Sequence, residues 1–333
     1  MPQLRIHFTD ADLARTRLKP EIDLMWEIIS SVQVLQHTDG DLSFDRWRRQ
    51  VRERAGQDSG LRRAVQALIT VAPHAVYFPD FLTPATDVSD IDAGVETVLS
   101  TPARRLCEEV GRLRPADSAG ARWLDDLAHG KSAALRYLRH ALHVYFRALI
   151  EPHLQIIGDG LRTDCAGGIQ RYLQTGPEGL LRWLRPAVSW QPPILLVDYP
   201  CDRDLHLDGR GLVLIPGYFC HYHPIALADP LLRPVLVFPI RTESRLLAGP
   251  GSGDHVSALL GTTRAMILRA AVNGSTTTGL ARQAGVTPAT ASHHTSVLRD
   301  AGLITTDRQE NFATHLITPL GLKVLTSGPL GTS

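Results

Sequence analysis

Polar side chains crowd the segment Val286–Ile304 near the carboxyl end of the chain, which reads VTPATASHHTSVLRDAGLI. Thr, Ser and His side chains donate and accept hydrogen bonds, and an imidazole also takes up a proton near neutral pH. Such a segment is typical either of a solvated helix face or of a face that contacts a polar, charged partner. The elements around it decide between these two interpretations.

The flanking residues predict a helix-turn-helix. Ser257–Val272 and Thr276–Ala284 have helical spacing of apolar residues, and Gly285 marks a tight turn before the next helix. Thr287 is a favourable N-cap, and Pro288 stands at the first helical position, where a missing N–H is tolerated. A helix, a glycine turn and a capped helix at this spacing are typical of a helix-turn-helix.

The residues after the third helix predict a wing. Leu303–Thr306 and Phe312–Thr318 read as two strands joined by the polar turn DRQEN, and Pro319–Leu325 reads as a closing helix. The C-terminal region is therefore predicted to be a winged helix.

The third helix can be phased by its apolar residues. Ala291, Thr295 and Leu298 recur at four- and three-residue steps, so they are predicted to face the first helix. The short polar side chains on the outer side could enter a DNA major groove and bond to base edges or phosphates. A polar helix face taken alone is more often simply solvated, but the complete helix-turn-helix with its wing favours DNA binding. The predicted DNA-binding residues are Thr287, Ala289, Thr290, Ser292, His293, His294 and Ser296 of the helix, with Arg308, Gln309 and Asn311 of the wing.

His294 is placed differently from the other residues of this set. It lies toward the flank of the helix, where it could pack against the wing rather than contact DNA.

The segment ARQAGVTPATASHHTSVLRDAGLI resembles the recognition segment of the arsenic-repressor-like (ArsR) winged-helix regulators. Ala291 and Thr295 depart from the larger apolar residues that are usual in the family. The resemblance implies binding to double-stranded DNA and repression of transcription. Because a single winged helix contacts too few phosphates for strong binding, two copies are expected to act together, as a homodimer on an imperfect palindrome. In the family the first and last helices form the dimer, and the apolar residues available there are Leu259, Leu260, Met266, Leu322 and Leu325.

Metal binding has two possible locations. Family members that sense metals carry Cys-x-Cys in the second helix, or acidic and His ligands in the last helix. The corresponding segments TTTGLARQA and PLGLKVL contain none of these ligands. In PGYFCHYHP, a strand would place His221 and His223 on one face and Cys220 on the other, with Cys201 and His206 upstream. Because no ligand spacing is complete, we expect neither a metal nor another cofactor.

Aromatic side chains of the helical region could line a pocket for a small-molecule effector. They also fill most protein cores, and core packing is the favoured role for any individual one. The residues assigned to this pocket are Trp26, Tyr77, Phe78, Phe81, Tyr137 and Tyr145.

Motifs of catalysis are lacking in the sequence. There is no nucleophile elbow, phosphate loop, dinucleotide fingerprint or HExxH motif, so the chain is predicted not to be an enzyme and no catalytic residue is assigned. An alternative stays open, namely an enzyme or metal-binding protein that uses its winged helix for contact with another protein.

The elements predict an α+β fold in two domains. Residues 1–247 read as an effector or dimerisation domain, helical over 1–184 with a small sheet over 186–240. The Gly-rich stretch 248–254 reads as a linker, and 255–333 as the winged helix. LRIHFTDADLARTR, FPDFLTP and DGRGLVLIP resemble an N-terminal domain, without an agreed activity, that is fused to such winged helices in actinomycete regulators.

Charge and cysteine content fit this organisation. Residues 255–333 contain six basic and three acidic residues, a formal charge of +3, whereas residues 1–254 carry −2. The four cysteines lack CxxC spacing, which is typical of a reducing compartment, and no apolar run reaches membrane-spanning length. The chain is therefore expected to be cytoplasmic and not to bind membranes.

Overall fold

The computed structural model describes residues 2–37, 44–74, 77–84, 90–115, 117–184, 188–221, 223–240, 254–272, 275–309 and 312–326. The chain forms two compact units, Met1–Ile240 and Arg241–Ser333, and the fold is α+β. The domain boundaries predicted around residues 248–254 remain a prediction, and 248–253 lie outside the described residues.

The first unit is mainly helical. Its largest core packs the inner faces of α2, α4 and α8, which contribute residues such as Ile28, Leu68 and Leu142, all without exposed surface. Its helices are α1 (Asp10–Arg15), α2 (Leu24–Gln36), α3 (Asp45–Gln57), α4 (Ser59–Val71), α5 (Ile91–Leu99), α6 (Ala103–Val110), α7 (Ser118–Ala128), α8 (Ser132–Tyr145) and α9 (Leu154–Trp183).

Acidic N-caps begin several of these helices. Asp58 accepts hydrogen bonds from the N–H groups of Gly60 and Leu61 and so caps α4. Phe44 precedes α3 and makes no side-chain cap hydrogen bond. A short 3₁₀ helix, Asp80–Leu82, follows Pro79.

Two four-stranded sheets complete the first unit. The first has the order β3-β4-β1-β5, and the second has the order β2-β6-β8-β7. The strands are β1 (Gln3–His7), β2 (Arg17–Leu18), β3 (Val188–Gln191), β4 (Ile194–Asp198), β5 (Arg203–His206), β6 (Val213–Gly217), β7 (Ile225–Ala226) and β8 (Val235–Pro239).

The mainly helical part of the first unit also contains two strands within residues 1–184, β1 and β2. Strand β1 lies inside the first sheet, antiparallel to β4 and parallel to β5. Leu4 and Ile6 are fully buried, whereas Arg5 and His7 lie on the other face. This two-residue alternation is the periodicity of a half-buried strand, and its partners are remote in sequence.

Three buried carboxylates connect the N-terminal elements to loops near the sheets. Asp12 accepts the N–H of Gly211 (2.9 Å), Glu27 accepts that of Tyr218 (2.7 Å), and Asp80 accepts that of Asp229 (2.7 Å). Glu27 and Asp80 each accept one further backbone N–H, from Phe219 and Ala228 respectively. Because each carboxylate satisfies buried backbone donors, these residues stabilise the fold.

The second unit is a winged helix. Its helices are α10 (Asp254–Leu260), α11 (Thr262–Ala270), α12 (Thr277–Ala284), α13 (Pro288–Asp300) and α14 (Pro319–Thr326), and its strands are β9 (Ser275–Thr276), β10 (Ile304–Gln309) and β11 (Phe312–Ile317). The strands form one antiparallel sheet in the order β10-β11-β9. A core of its own contains Ile267, Leu268, Leu280 and Leu298.

The continuous helix predicted over Ser257–Val272 is wrong. Gly261 has a φ of 83°, a value that L-residues with a side chain rarely adopt, and it separates α10 from α11. The break turns Leu259 outward, with 72% of its surface exposed, while Ile267 is fully buried.

Candidate nucleic-acid interface

The turn between α12 and α13 has the predicted geometry. Gly285 lies in the left-handed region with a φ of 65°, and the N–H of Val286 donates to the carbonyl of Ala281 (3.0 Å). Thr287 caps α13 by accepting the N–H of Thr290 (3.2 Å), and Pro288 occupies the first turn. Both helix ends at the turn are therefore fixed by local hydrogen bonds, which sets the direction of α13.

The inner face of α13 is the predicted one. Ala291, Thr295 and Leu298 have 0%, 3% and 1% of their surface exposed. The hydroxyl of Thr295 donates to the carbonyl of Ser292 (2.9 Å), so a polar residue is buried without an unsatisfied hydroxyl. These positions hold the helix against α11 and α12, and they determine which residues point away.

The outer face carries the predicted set of short polar side chains. Thr287, Ala289, Ser292 and His293 are exposed, and Thr290 and Ser296 are half-buried. This helix therefore brings these predicted residues together on one accessible surface.

His294 is half-buried, and its predicted contact with the wing remains a prediction. Its Nδ1 and the Nε of Arg264 on α11 are both buried and have no hydrogen-bond partner among the described residues. Burial, followed by the charges of Arg264 and His293, lowers the pKa of His294, so its neutral form is favoured.

The wing residues are described only in part. Arg308 and Gln309 end β10, where they pair with Ala313 and Phe312 of β11. The side chains of Arg308 and Gln309, and Asn311 altogether, lie outside the described residues, so their predicted contact with DNA remains a prediction.

His315 connects the wing to the helix-turn-helix, and the sequence analysis missed it. It is 4% exposed, its Nε2 lies 2.9 Å from the hydroxyl oxygen of Thr277 on α12, and its Nδ1 lies 3.0 Å from that of Thr306 on β10. Burial, with a smaller effect of Arg299, lowers the pKa of His315. A neutral imidazole accepts a hydrogen bond at one nitrogen and donates one at the other. Because a threonine hydroxyl can donate or accept, the two threonines can satisfy both ring nitrogens of His315.

Arg299 is a second residue that the sequence analysis missed. It lies in the last turn of α13, is exposed, and its Nη2 donates to the hydroxyl oxygen of Ser296 (3.3 Å). Its position three residues after Ser296 is the available sequence signal, because residues at that spacing share one helix face. The guanidinium adds a positive charge beside the polar surface of α13.

The residues predicted to line an effector pocket are distributed over several environments. Trp26, Phe81 and Tyr145 are buried core residues, and the hydroxyl of Tyr145 pairs with Ser31 (2.8 Å). Phe78 meets Trp26 edge-on at 6.1 Å. The hydroxyl of Tyr77 donates to the carbonyl of Glu109 (3.3 Å), while Tyr137 lies at the surface against Trp123.

Cys220, His221 and His223 of PGYFCHYHP do not lie in a strand, so the condition for a common face of His221 and His223 is not met. The strand β6 ends at Gly217, where a Cβ would lie 2.5 Å from that of Cys220, and the chain turns away. His221 packs edge-on against Phe44 at 5.1 Å, and Cys220 is buried.

The remaining two residues of this predicted group lie elsewhere. Cys201 is exposed on a loop, and His206 stacks on His7 at 4.3 Å. Within the described part of the chain, no three His, Cys, Asp or Glu side chains form a group that could hold a metal ion. Among the described helices, none is long and apolar enough to cross a membrane.

Residues 262–306 match the model of a family described as bacterial regulatory protein, arsR family. Searches of curated proteins and of solved structures find no match to this chain. The matched segment spans α11, the helix-turn-helix and the first strand of the wing. The match supports DNA-binding transcription regulation in general. Residues 262–306 therefore form a helix-turn-helix domain that matches the bacterial arsR regulatory-protein family.

Proposed function

We propose that this protein is a cytoplasmic transcriptional repressor that binds an imperfect DNA palindrome as a homodimer and responds to a small-molecule effector. The observation that carries the proposal is the outer face of α13. It is polar, accessible and fixed by a capped turn within an arsR-family domain. The match supports the regulator class, and repression follows from the family resemblance.

The reading surface consists of small groups that fit a major groove. Ser292 and His293 are exposed in the middle of α13, and Thr290 lies one turn before His294. Hydroxyl and imidazole groups bond to base edges and phosphates, whereas large side chains would obstruct the approach of the helix. Arg299 and Arg308 would contribute phosphate contacts, which strengthen binding to any sequence.

A homodimer is proposed because one winged helix makes few phosphate contacts. Two copies of α13 would enter successive major grooves on one face of the DNA, roughly 34 Å apart. The symmetry of such a dimer accounts for a palindromic site.

The dimer contact has two possible locations. In the second unit, Leu259, Met266 and Leu320 have 72%, 36% and 53% of their surface exposed. Leu325, which the sequence analysis assigned to this surface, is only 4% exposed and belongs to the core, and the side chain of Leu322 lies outside the described residues.

In the first unit, Ile169, Tyr172 and Leu173 of α9 form a second exposed apolar group. Spacings of three and four residues place them on one helix face. Removal of residues 1–247 distinguishes the two locations. A truncated chain that still dimerises places the contact in the winged helix, and a monomeric one places it in the first unit.

An effector would act through differential affinity for the two forms of the dimer. The first unit is proposed to bind it, because this unit holds most of the chain outside the matched domain. Of the predicted pocket residues, Tyr77 and Phe78 are half-buried and Tyr137 is exposed, whereas Trp26, Phe81 and Tyr145 are core residues.

The testing experiment is DNA binding of the full chain as a function of salt, using the DNA beside its own coding region. We expect footprinting to show two half-sites one helical turn apart, and affinity to fall steeply with added salt. Ser292→Ala is the reading-face variant, and Glu53→Gln, on the exposed surface of the first unit, is the matched control. The absence of binding at low salt overturns the proposal and favours a protein–protein role for the winged helix.

A further inference from the structure

We propose that His37 and His74, at the neighbouring ends of α2 and α4, form a two-imidazole site for a divalent transition-metal cation of the Cu²⁺ or Zn²⁺ class. The juxtaposition that carries the proposal is the 3.1 Å separation of His37 Nδ1 and His74 Nε2. This site lies in the first unit, and the inference does not depend on the proposed DNA binding.

Both histidines are held by the ends of helices. His37 is the C-cap residue of α2, and His74 follows Ala72, the C-cap residue of α4, by two positions. The side chain of Gln36 joins the two ends, because its Nε2 donates to the carbonyl of Ala72 (2.9 Å) and its Oε1 accepts the N–H of His74 (2.9 Å). Sites built on helix ends keep their ligands in a fixed geometry.

Gln33 determines the tautomer of His74. The Nε2 of Gln33 donates to the carbonyls of Ala72 (2.9 Å) and Pro73 (3.2 Å), which orients the amide. The Oε1 of Gln33 then faces His74 Nδ1 at 3.2 Å and accepts its hydrogen. His74 Nε2 therefore carries a lone pair directed at His37. An outer hydrogen bond of this kind is the usual partner of a metal-bound histidine.

The separation of the two nitrogens suits one shared cation. Two nitrogens bound tetrahedrally at about 2.0–2.1 Å from zinc lie about 3.3 Å apart, close to the 3.1 Å observed between His37 Nδ1 and His74 Nε2. The ring planes meet at 67°, so the rings are not stacked. In the metal-free form His37 Nδ1–H donates to His74 Nε2. On binding, His37 changes tautomer: Nδ1 gives its proton to solvent and Nε2 takes one up from solvent, so a neutral ring presents the Nδ1 lone pair to the cation and no net proton is released.

The site is accessible, and its ligand set favours certain metals. His74 is exposed and His37 is half-buried, so a hydrated ion can reach both rings. No third imidazole, thiolate or carboxylate from the described ranges joins them in a group that could hold a metal ion. Imidazole ligands suit copper and zinc, and Cu²⁺ binds most tightly among the first-row divalent ions.

The test uses Cu²⁺ and the full, untagged chain. We expect one equivalent of Cu²⁺ to bind, to give an electron paramagnetic resonance signal split by two imidazole nitrogens, and to raise the melting temperature. His37→Gln and His74→Gln should each abolish the two-nitrogen signal. His129→Gln, which changes an exposed histidine at the end of α7, is the matched control and should keep it.

Gln33→Leu provides the second variant, because it keeps both ligands and removes only the hydrogen bond that orients His74. Its Cu²⁺ affinity should fall 10- to 100-fold, the usual loss when an outer-sphere partner is removed. The inference is overturned if the parent chain takes up no Cu²⁺, or if His37→Gln and His74→Gln bind it as the parent does. If the two histidines form only a structural hydrogen bond, the parent chain will give no Cu²⁺ signal, and His37→Gln and His74→Gln will only lower the stability of the fold.

Discussion

Polar side chains serve opposite purposes in the two units of this protein. In the first unit, Asp12, Glu27 and Asp80 are buried and saturated by backbone N–H groups. In the second unit, Ser292 and His293 are exposed on α13. A buried, saturated polar group stabilises a fold, whereas an exposed group on a rigid helix is available to a partner. The comparison therefore separates residues whose loss should unfold the protein from residues whose loss should impair binding.

The largest effect is expected at Asp80. Asp80→Ala leaves the N–H groups of Ala228 and Asp229 without their acceptor. An unsatisfied buried donor costs about 1–3 kcal/mol, so the free energy of unfolding should fall by about 3 kcal/mol in urea denaturation. Asp80→Asn keeps one acceptor oxygen and should lose less. An Ala variant as stable as the parent would contradict the structural role of this carboxylate.

A smaller loss of stability is expected at His315. This polar residue belongs to the second unit, yet it is buried like the carboxylates of the first unit. His315→Leu removes both hydrogen bonds to Thr277 and Thr306 and should destabilise the winged helix by about 2 kcal/mol. DNA binding should weaken for specific and non-specific sequences alike, because the wing loses its attachment. His315→Gln retains a donor and an acceptor and is the control. Normal binding by the Leu variant would show that the wing position does not depend on His315.

Loss of binding without loss of stability is expected at His293. His293→Ala should weaken binding to the specific site by about 1–2 kcal/mol if the ring contacts a base edge. Because the ring is exposed, unfolding should change by less than about 0.5 kcal/mol. Thr290→Ala tests the same face. If both variants bind the site like the parent, the proposed reading face is wrong.

A purely electrostatic effect is expected at Arg308. Arg308→Ala should weaken binding to all sequences equally. The slope of log affinity against log salt concentration should become shallower by the amount expected for about one phosphate contact. The measurement is the slope of binding affinity against salt concentration for specific and random DNA. An effect limited to the specific site would instead assign Arg308 to base recognition.

The smallest effect concerns pH. The pKa values of His294 and His315 are lowered, chiefly by burial, from their ordinary value of 6.5. As the pH falls below that value, the unfolded chain binds protons that the folded unit excludes, so stability should decline until the lowered pKa values are reached. His315→Gln should flatten the decline in thermal melts between pH 7 and pH 5. If His315→Gln loses stability with falling pH as the parent does, His315 does not cause the decline.

The sequence predicted the helix-turn-helix well because its signals are local. Gly285, Thr287 and Pro288 each act within one turn of their own position, and the three-and-four spacing of Ala291, Thr295 and Leu298 gave the buried face. Family resemblance then supplied the class of the domain.

The features that were missed depend on partners distant in the chain. Strand β1 pairs with residues 194–198 and 203–206, and His315 bonds to Thr277 across 38 positions. The conformation of PGYFCHYHP also depends on a distant residue, because Glu27 accepts the N–H groups of Tyr218 and Phe219. A single sequence carries no signal for such remote contacts.

The position of β1 has a consequence for synthesis of the chain. Gln3–His7 are synthesised about 190 residues before their partners Ile194–Asp198 and Arg203–His206. At about 5–20 residues per second, the first strand waits roughly 10–40 s before it can pair. During that time Leu4 and Ile6 are exposed to other nascent chains. A leader or tag fused before Gln3 therefore adds bulk to the segment that must later enter the middle of a sheet.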